Sequence, residues 1–155
     1  MKEQDWTVHR YICEEVRRQG HTEFPDHQVR VAWMHDAWDF MACIPKWTPL
    51  TIATIRRIGF YVEREKNANG FRSCGVRVGP HSCPGPDEVL PRLNKILSHM
   101  DEMSPLEFYR EFELVHPFLD GNGRTGKVLL NWLNRSFDSP IFPPNDFWGP
   151  PIVNP

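Results

Sequence analysis

The spacing of apolar residues predicts a chain of helices. In residues 27–41 (HQVRVAWMHDAWDFM), Val29, Ala32, Trp33, Ala37 and Phe40 recur three or four positions apart, as one face of a helix does. Asp26 precedes this run and is a candidate N-cap. A shorter, charge-rich helix is predicted before it, over residues 8–18.

Two further helices are predicted in the middle of the chain. Thr51 is the candidate N-cap of residues 51–66, where the face toward the core comprises Ile52, Ile55, Ile58 and Val62. Asp87 is the candidate N-cap of residues 88–100, where the corresponding face comprises Leu90, Leu93, Leu97 and Met100.

The last two predicted helices flank a glycine-rich loop. Ser104, Pro105 and Glu107 have the spacing of a capping box with proline at the first helical position. They start a helix over residues 104–115, and Pro117 stops it. After the loop, residues 123–137 are predicted to be helical, with inward positions Val128, Leu129, Trp132 and Leu133.

One short β element interrupts the helices. Residues 71–78 (FRSCGVRV) alternate weakly between flanking glycines, which indicates a short hairpin or an extended flap. We therefore expect a mainly α fold, a helical bundle with a short β-hairpin flap. The expected organisation is a single domain over residues 1–155, with N-terminal helices at 8–45, a core at about 50–137 and a proline-rich tail at 138–155.

Composition narrows the class of protein. The apolar fraction of 40% and the charged fraction of 25% are ordinary for a soluble globular protein. A net charge of −2 favours neither nucleic acid nor an anionic membrane as partner. The chain has no run of 18 apolar residues and no secretory segment, and its four cysteines lack paired spacing. We expect a cytoplasmic protein with reduced thiols.

The stretch GNGRTGK, residues 121–127, fits two common phosphate-binding patterns that its flanks disfavour. A P-loop needs a buried strand before it and Ser or Thr after its lysine, whereas Val128 follows Lys127. A dinucleotide-binding fingerprint needs further βαβ units after the glycines. Only 29 residues follow Gly126, and they comprise one predicted helix and the tail.

A longer pattern is more specific. Residues 116–127, HPFLDGNGRTGK, resemble the signature H-P-F-x-[D/E]-G-N-G-R-x-x-R of the Fic domain family, with eight defined positions matching from His116 to Arg124. Residues 70–93 (GFRSCGVRVGPHSCPGPDEVLPRL) resemble the flap of that family and the start of its next helix. The resemblance covers about residues 50–137.

The chemistry of these residue types agrees with the resemblance. His116 has a side chain that can take a proton from an attacking hydroxyl, and the resemblance implies a general base. Asp120 offers a hard oxygen ligand for magnesium, although an N-cap role is the alternative. Gly121, Asn122 and Gly123 open a helix whose free N–H groups suit phosphates, and Arg124 can clamp phosphate oxygens.

The resemblance implies transfer of AMP from Mg²⁺-bound ATP to a Ser, Thr or Tyr hydroxyl of a target protein. A strand edge beside the site can pair with an extended segment of that target. The alternative for this flap is a hairpin without a binding role. The candidate docking residues are Arg72, Ser73, Cys74, Gly75, Val76, Arg77 and Val78.

The chain departs from the family at Lys127, where the family usually has arginine. That arginine helps to hold the terminal phosphate of the nucleotide, and lysine lacks its planar fork. The departure leaves open another donor or orientation, with transfer of phosphate, UMP, GMP or phosphocholine. A non-catalytic binding module is the remaining alternative.

The inhibitory motif of self-inhibited relatives, [S/T]-x-x-x-E-[G/N], is also missing. In those relatives its glutamate pairs with the last arginine of the signature. Near the N-terminus, Glu14 and Glu15 follow Arg10 and Tyr11 by four positions, where the motif has Ser or Thr. We expect either a separate inhibitory or antitoxin protein, or no such inhibition.

Overall fold

The computed structural model describes residues 3–144, which form six α-helices and one antiparallel hairpin. The mainly α fold with a short hairpin is confirmed. No helix within these residues is long and apolar enough to span a membrane. In chain order the elements are α1 (Glu3–Arg18), α2 (Asp26–Ala42), α3 (Ile52–Val62), β1 (Arg77–Val78), β2 (His81–Ser82), α4 (Pro86–Ser98), α5 (Pro105–Val115) and α6 (Asn122–Leu133).

Helix α6 is the centre of the bundle and contacts α2, α3 and α5. Nearly every side of this helix is buried, so its polar residues lie in the protein interior together with Val128, Leu129 and Trp132. The helix ends at Leu133 rather than at residue 137. The chain folds back there because Asn131 Oδ1 accepts hydrogen bonds from Ser136 Oγ (2.6 Å) and Ile141 N (2.8 Å).

The capping chemistry of α3 and α5 is confirmed. Thr51 accepts a hydrogen bond from Thr54 N (3.2 Å), and α3 buries Ile55, Ile58 and Val62. Ser104 and Glu107 form the predicted reciprocal pair, with Glu107 N donating to Ser104 Oγ (3.1 Å) and Ser104 N to Glu107 Oε2 (3.0 Å). These contacts are local, which is why sequence spacing identified them.

The predicted inward face of α2 is confirmed at Ala37 and in part at Phe40, which packs against the core, but is wrong at Val29 and Ala32. Val29 is 38% exposed, whereas the buried residues are His27, Arg30, Val31, Met34, Ala37, Trp38 and Met41. The reason is that α2 packs against three helices, α1, α3 and α6, and so buries more than one stripe. Asp26 is also not the cap: it lies in the first turn, after Pro25.

Helix α4 begins at Pro86, and its cap is Gly85 rather than Asp87. Gly85 N donates to Glu88 Oε2 (3.1 Å). The helix buries Val89, Leu93 and Ile96, while the predicted Leu90 is 43% exposed. Apolar residues occur on two faces of this helix, and only its contact with α5 selects one.

The hairpin begins at the end of the predicted segment 71–78 and extends beyond it. Arg77 pairs with Ser82 and Val78 with His81, around a turn at Gly79, whose φ of 55° favours glycine. The second strand lies outside the predicted segment, because strands of two residues leave no alternation to detect.

The described part of the tail packs on α1. Ile141 O accepts a hydrogen bond from Tyr11 Oη (2.7 Å), and the Phe142 ring stacks on Tyr11 at 4.2 Å between centroids. Arg18 lies over Phe142. The remainder of the predicted tail, residues 145–155, lies outside the described residues.

Gly59 sets the approach of α3 to the loop after α5. A Cβ at this position would overlap the fully buried ring of Phe118. We expect Gly59→Ala to lower the free energy of unfolding by about 1–3 kcal/mol, as overpacking does. Chemical denaturation measures the loss. Gly75→Ala is the matched control, because nothing lies within 4 Å of a Cβ there. Equal stability of the two variants would contradict the expected clash.

Candidate active site

His116 caps the end of α5 in the left-handed conformation, with φ 51° and ψ 63°. Its side chain is 22% exposed, and Nδ1 lies 3.3 Å from the Glu113 carbonyl. A carbonyl only accepts hydrogen bonds, so Nδ1 carries the proton and Nε2 presents a lone pair. Burial is the main cause that lowers the pKa of His116; the hydrogen bond to the Glu113 carbonyl opposes it, Arg72 lowers the pKa further, and Asp120 raises it slightly. The imidazole is therefore neutral at pH 7.

Asn122 holds the loop that follows. Its Oδ1 accepts a hydrogen bond from Phe118 N (2.8 Å), and its Nδ2 donates to Phe118 O (2.9 Å). This pair of bonds closes the loop between α5 and α6. Since the side chain is used in this way, what Asn122 offers to a ligand at the start of α6 is its backbone N–H.

Arg72 is a buried brace rather than part of an exposed edge. Its guanidinium donates to His116 O (2.6 Å), Val115 O (3.0 Å), Pro84 O (2.6 Å) and Cys74 O (2.8 Å). The arginine therefore ties the end of α5 to both ends of the flap. Among the other predicted docking residues, Val76 and Val78 are half-buried, whereas Ser73, Cys74, Gly75 and Arg77 are exposed.

Asp120 lies at the start of α6, 32% exposed. Its Oδ1 accepts a hydrogen bond from Gly121 N (2.7 Å), and Oδ2 pairs with Lys66 Nζ (2.9 Å). Burial raises the pKa of Asp120, but the bonds from Lys66 and Gly121 N and the nearby Arg124 outweigh it, so the pKa is lowered. The carboxylate is ionised at neutral pH.

Asp120 belongs to the group in the described chain that has metal-ligand spacing. One ligand atom each from His21, Glu63 and Asp120 lies within 4.8 Å of the others. Glu63 is already bound by Arg30 (3.0 Å) and Arg124 (3.4 Å). The oxygen best placed for a hard cation is therefore that of Asp120, whose lysine partner is 50% exposed and can move away.

Arg124 is buried, with 1% exposure, and its guanidinium is largely committed. It donates to Val62 O (2.8 Å) and pairs with Glu63 Oε2 at 3.4 Å. Its Nε has no hydrogen-bond partner among the described residues. Sequence spacing predicted that Arg124 clamps phosphate. It missed Glu63, which pairs with both Arg124 and Arg30, because ion pairs between distant segments leave no local pattern.

The residue that follows helix α1 covers the first turn of α6. Gly121 caps α6 with φ 77°, and the Gln19 side chain lies against Gly123, where a Cβ would be 2.6 Å from Gln19 Nε2. The helix N-terminus, with its unpaired N–H groups, is therefore overlaid by the side chain of Gln19, one residue beyond the end of α1.

Lys127 is held by a residue of helix α1. Its Nζ lies 2.9 Å from Glu15 Oε1 and 3.3 Å from Tyr109 Oη, and Gln19 Nε2 donates to Glu15 Oε1 (2.7 Å). Glu15 is completely buried. The sequence suggested that neither N-terminal glutamate fits an inhibitory position, but the structure pairs Glu15 with the last residue of the motif. Glu15 makes this contact although Tyr11, and not Ser or Thr, stands four residues before it.

Comparisons with known proteins identify the family. A family model described as "Fic/DOC family" matches residues 48–134. Proteins named "Protein adenylyltransferase Fic" are similar: that of Drosophila persimilis is 39% identical over 72 residues, and that of Nematostella vectensis is 36% identical over 73. Each match covers 41% of this chain, but only 14% and 17% of those relatives.

Solved structures support the same fold. A Fic family protein from Desulfovibrio desulfuricans G20 matches with a TM-score of 0.68 and 20% identity, covering 86% of this chain and 49% of that one. Fic-1 from C. elegans matches with a TM-score of 0.64 and 20% identity, covering 93% and 52%. At these identities the likeness concerns the fold alone.

Proposed function

Because the chain belongs to the Fic/DOC family, we propose that it is a protein adenylyltransferase, transferring AMP from Mg²⁺-bound ATP to a Ser, Thr or Tyr hydroxyl of a target protein. The observation that carries this proposal is the arrangement of His116 and Asp120. His116 presents the Nε2 lone pair, and four residues later the ionised Asp120 stands at a helix N-terminus. A base, an anion-binding helix end and a hard cation ligand thus share one loop.

In the proposed reaction His116 Nε2 accepts the proton of the target hydroxyl as its oxygen attacks the α-phosphorus, and pyrophosphate leaves. The N–H groups at Gly123 and Arg124 orient the phosphates, with help from the positive end of α6. Lys127 contributes a point charge once it is released from Glu15. Asp120 would hold Mg²⁺, which neutralises phosphate charge when bound.

The flap is proposed to dock the target. An extended segment can pair with an edge of the β1–β2 hairpin, and exposed Ser73, Cys74 and Arg77 flank such a segment. Arg72 supports this role indirectly, because it binds the carbonyl of His116 and that of Cys74. A segment held on the flap therefore lies at a fixed position relative to the base.

A second candidate keeps the site but changes the donor or its orientation. Lys127 favours it, since an ammonium does not reproduce the bidentate contacts of a guanidinium. Phosphate, UMP, GMP or phosphocholine transfer then replaces AMP transfer. A non-catalytic binding module is the third candidate. A separate inhibitory protein also stays a prediction, in addition to the contact that Glu15 of this chain makes with Lys127.

Labelled nucleotides test the proposal. The purified protein is incubated with Mg²⁺, a cell lysate and ATP labelled at the α- or the γ-phosphate, with a panel of other donors. We expect label from the α position on protein that is lost in His116→Ala, and no His116-dependent label from the γ position. His116-dependent label from γ alone would mean phosphate transfer, and such label from another α-labelled nucleotide would change the donor. No label with any donor would overturn nucleotidyl transfer.

A further inference from the structure

Glu113 is a buried carboxyl group that the proposed reaction does not use. It lies in the last turn of α5 with 6% exposure, and its Oε1 has no hydrogen-bond partner within the described part of the chain. Burying a carboxyl group in this way is costly. A buried polar group without a partner calls for an explanation, and a catalytic role is one of the few available.

The packing leaves room for this group. Gly126 of α6 faces it, and a Cβ at that position would lie 2.5 Å from Glu113 Oε1 and 2.8 Å from Tyr109 Cε2. The absence of a side chain at Gly126 is therefore what allows the carboxyl to lie between α5 and α6. A glycine in the middle of a helix lowers its stability, so the space has a cost as well.

The carboxyl faces the ring nitrogen that the base does not use. Glu113 Oε2 lies 3.9 Å from His116 Nδ1, beside the Glu113 carbonyl at 3.3 Å. Both the backbone and the side chain of one residue thus approach the Nδ1 proton. At 3.9 Å the carboxyl is within ion-pair distance of Nδ1 but beyond hydrogen-bond distance, so the pairing requires the two side chains to move closer.

We propose that Glu113 is a positioning residue that acts through His116, its carboxylate accepting the Nδ1 hydrogen bond and stabilising the imidazolium formed during transfer. The inference rests on the proposed function. The hydroxyl proton goes to Nε2, the oxygen–phosphorus bond forms, and the bond to pyrophosphate breaks. Glu113 exchanges no proton in this step; it supplies a negative charge next to the ring as the ring becomes positive.

The role implies a pH dependence. The pKa of Glu113 is raised to about 7, chiefly by burial, against a lowering effect of Lys127 and with a smaller raising effect of Glu15. Below that pH the carboxyl is protonated and neutral; above it, the carboxylate can stabilise the imidazolium. Transfer should therefore rise as pH rises through about 7.

The titratable and charged groups near Glu113 or His116 are Glu15 on α1, Lys127 on α6, Tyr109 on α5, Cys83 after β2, Asp120, and Arg72.

Imidazole NMR of His116 tests the pairing without any transfer assay. In the wild-type protein the ring signals should show a second inflection near pH 7, from Glu113. In Glu113→Gln that inflection should vanish, which leaves only the titration of His116 itself. A wild-type titration with a single inflection that is unchanged in Glu113→Gln would overturn the proposal.

Kinetics separate positioning from a merely structural role. We expect Glu113→Gln to lower kcat about 10-fold at pH 8, because that is the effect of losing one hydrogen bond to a charged group. KM for the nucleotide should be unchanged. The rise of rate through pH 7 should also be lost. Glu111→Gln, an exposed carboxylate on the same helix, is the control. A retained pH profile in Glu113→Gln would overturn the proposal.

The two experiments also separate this inference from the proposed function. If the wild-type protein transfers no label but the His116 titration changes in Glu113→Gln, the pairing stands and nucleotidyl transfer fails. If label is transferred and both the titration and the pH profile are insensitive to Glu113→Gln, transfer stands and the pairing fails.

Discussion

Replacing His116 with alanine is expected to lower label transfer by about 10²–10⁴-fold, the usual contribution of a general base. The Nδ1 proton is directed to the Glu113 carbonyl, so Nε2 is the only lone pair that the ring presents. Nucleotide affinity should change little, because the groups proposed to bind phosphate lie on α6. Single-turnover rates and equilibrium binding of the same nucleotide measure the two effects separately.

His99→Ala is the matched control for this variant. His99 is exposed at the end of α4, and its ring bonds are with Ser98 and Lys95, in its own turn. It should retain the wild-type rate. If His116→Ala transferred label at a rate similar to that of His99→Ala, His116 would not be the base and the proposed reaction would be wrong.

Glu15→Gln is expected to raise nucleotide affinity about 10-fold. Lys127 gives up a contact of 2.9 Å to the Glu15 carboxylate before it can bind phosphate. Glutamine keeps the shape and the bond to Gln19 but removes the charge, and a hydrogen bond between charged groups is worth about 1.5–3 kcal/mol. The lysine is then free to bind phosphate, and label transfer should rise with affinity. Equilibrium titration with the nucleotide gives the change directly.

Glu14→Gln controls for charge in the same helix turn. Glu14 is 46% exposed and pairs only with Arg18, at 3.1 Å. Such surface pairs contribute about 0–1 kcal/mol, so this variant should bind nucleotide as the wild-type protein does. Circular dichroism verifies that both variants are folded. Unchanged affinity in a folded Glu15→Gln protein would show that Glu15 does not compete with phosphate for Lys127.

Local spacing in the sequence was sufficient for the parts of this protein that depend on neighbouring residues. The caps at Thr51 and Ser104 were predicted because each bonds a backbone N–H three residues away. The loop from His116 to Gly123 was predicted for the same reason: the proposed base, the carboxylate and the helix start lie within eight residues. The family follows from this stretch and from the segment around the flap.

Only the tertiary structure decided which distant residues contact the site. Glu63 meets Arg124 across 61 positions, Glu15 on α1 meets Lys127 on α6, and Arg72 joins the flap to His116. No short-range pattern marks such pairs. The same holds for α2, whose buried face depends on the three helices around it. The sequence by itself determined which residue types stand at the candidate site, whereas helix packing determined which of their charges are already paired, because pairing across distant segments depends on where the bundle brings them together.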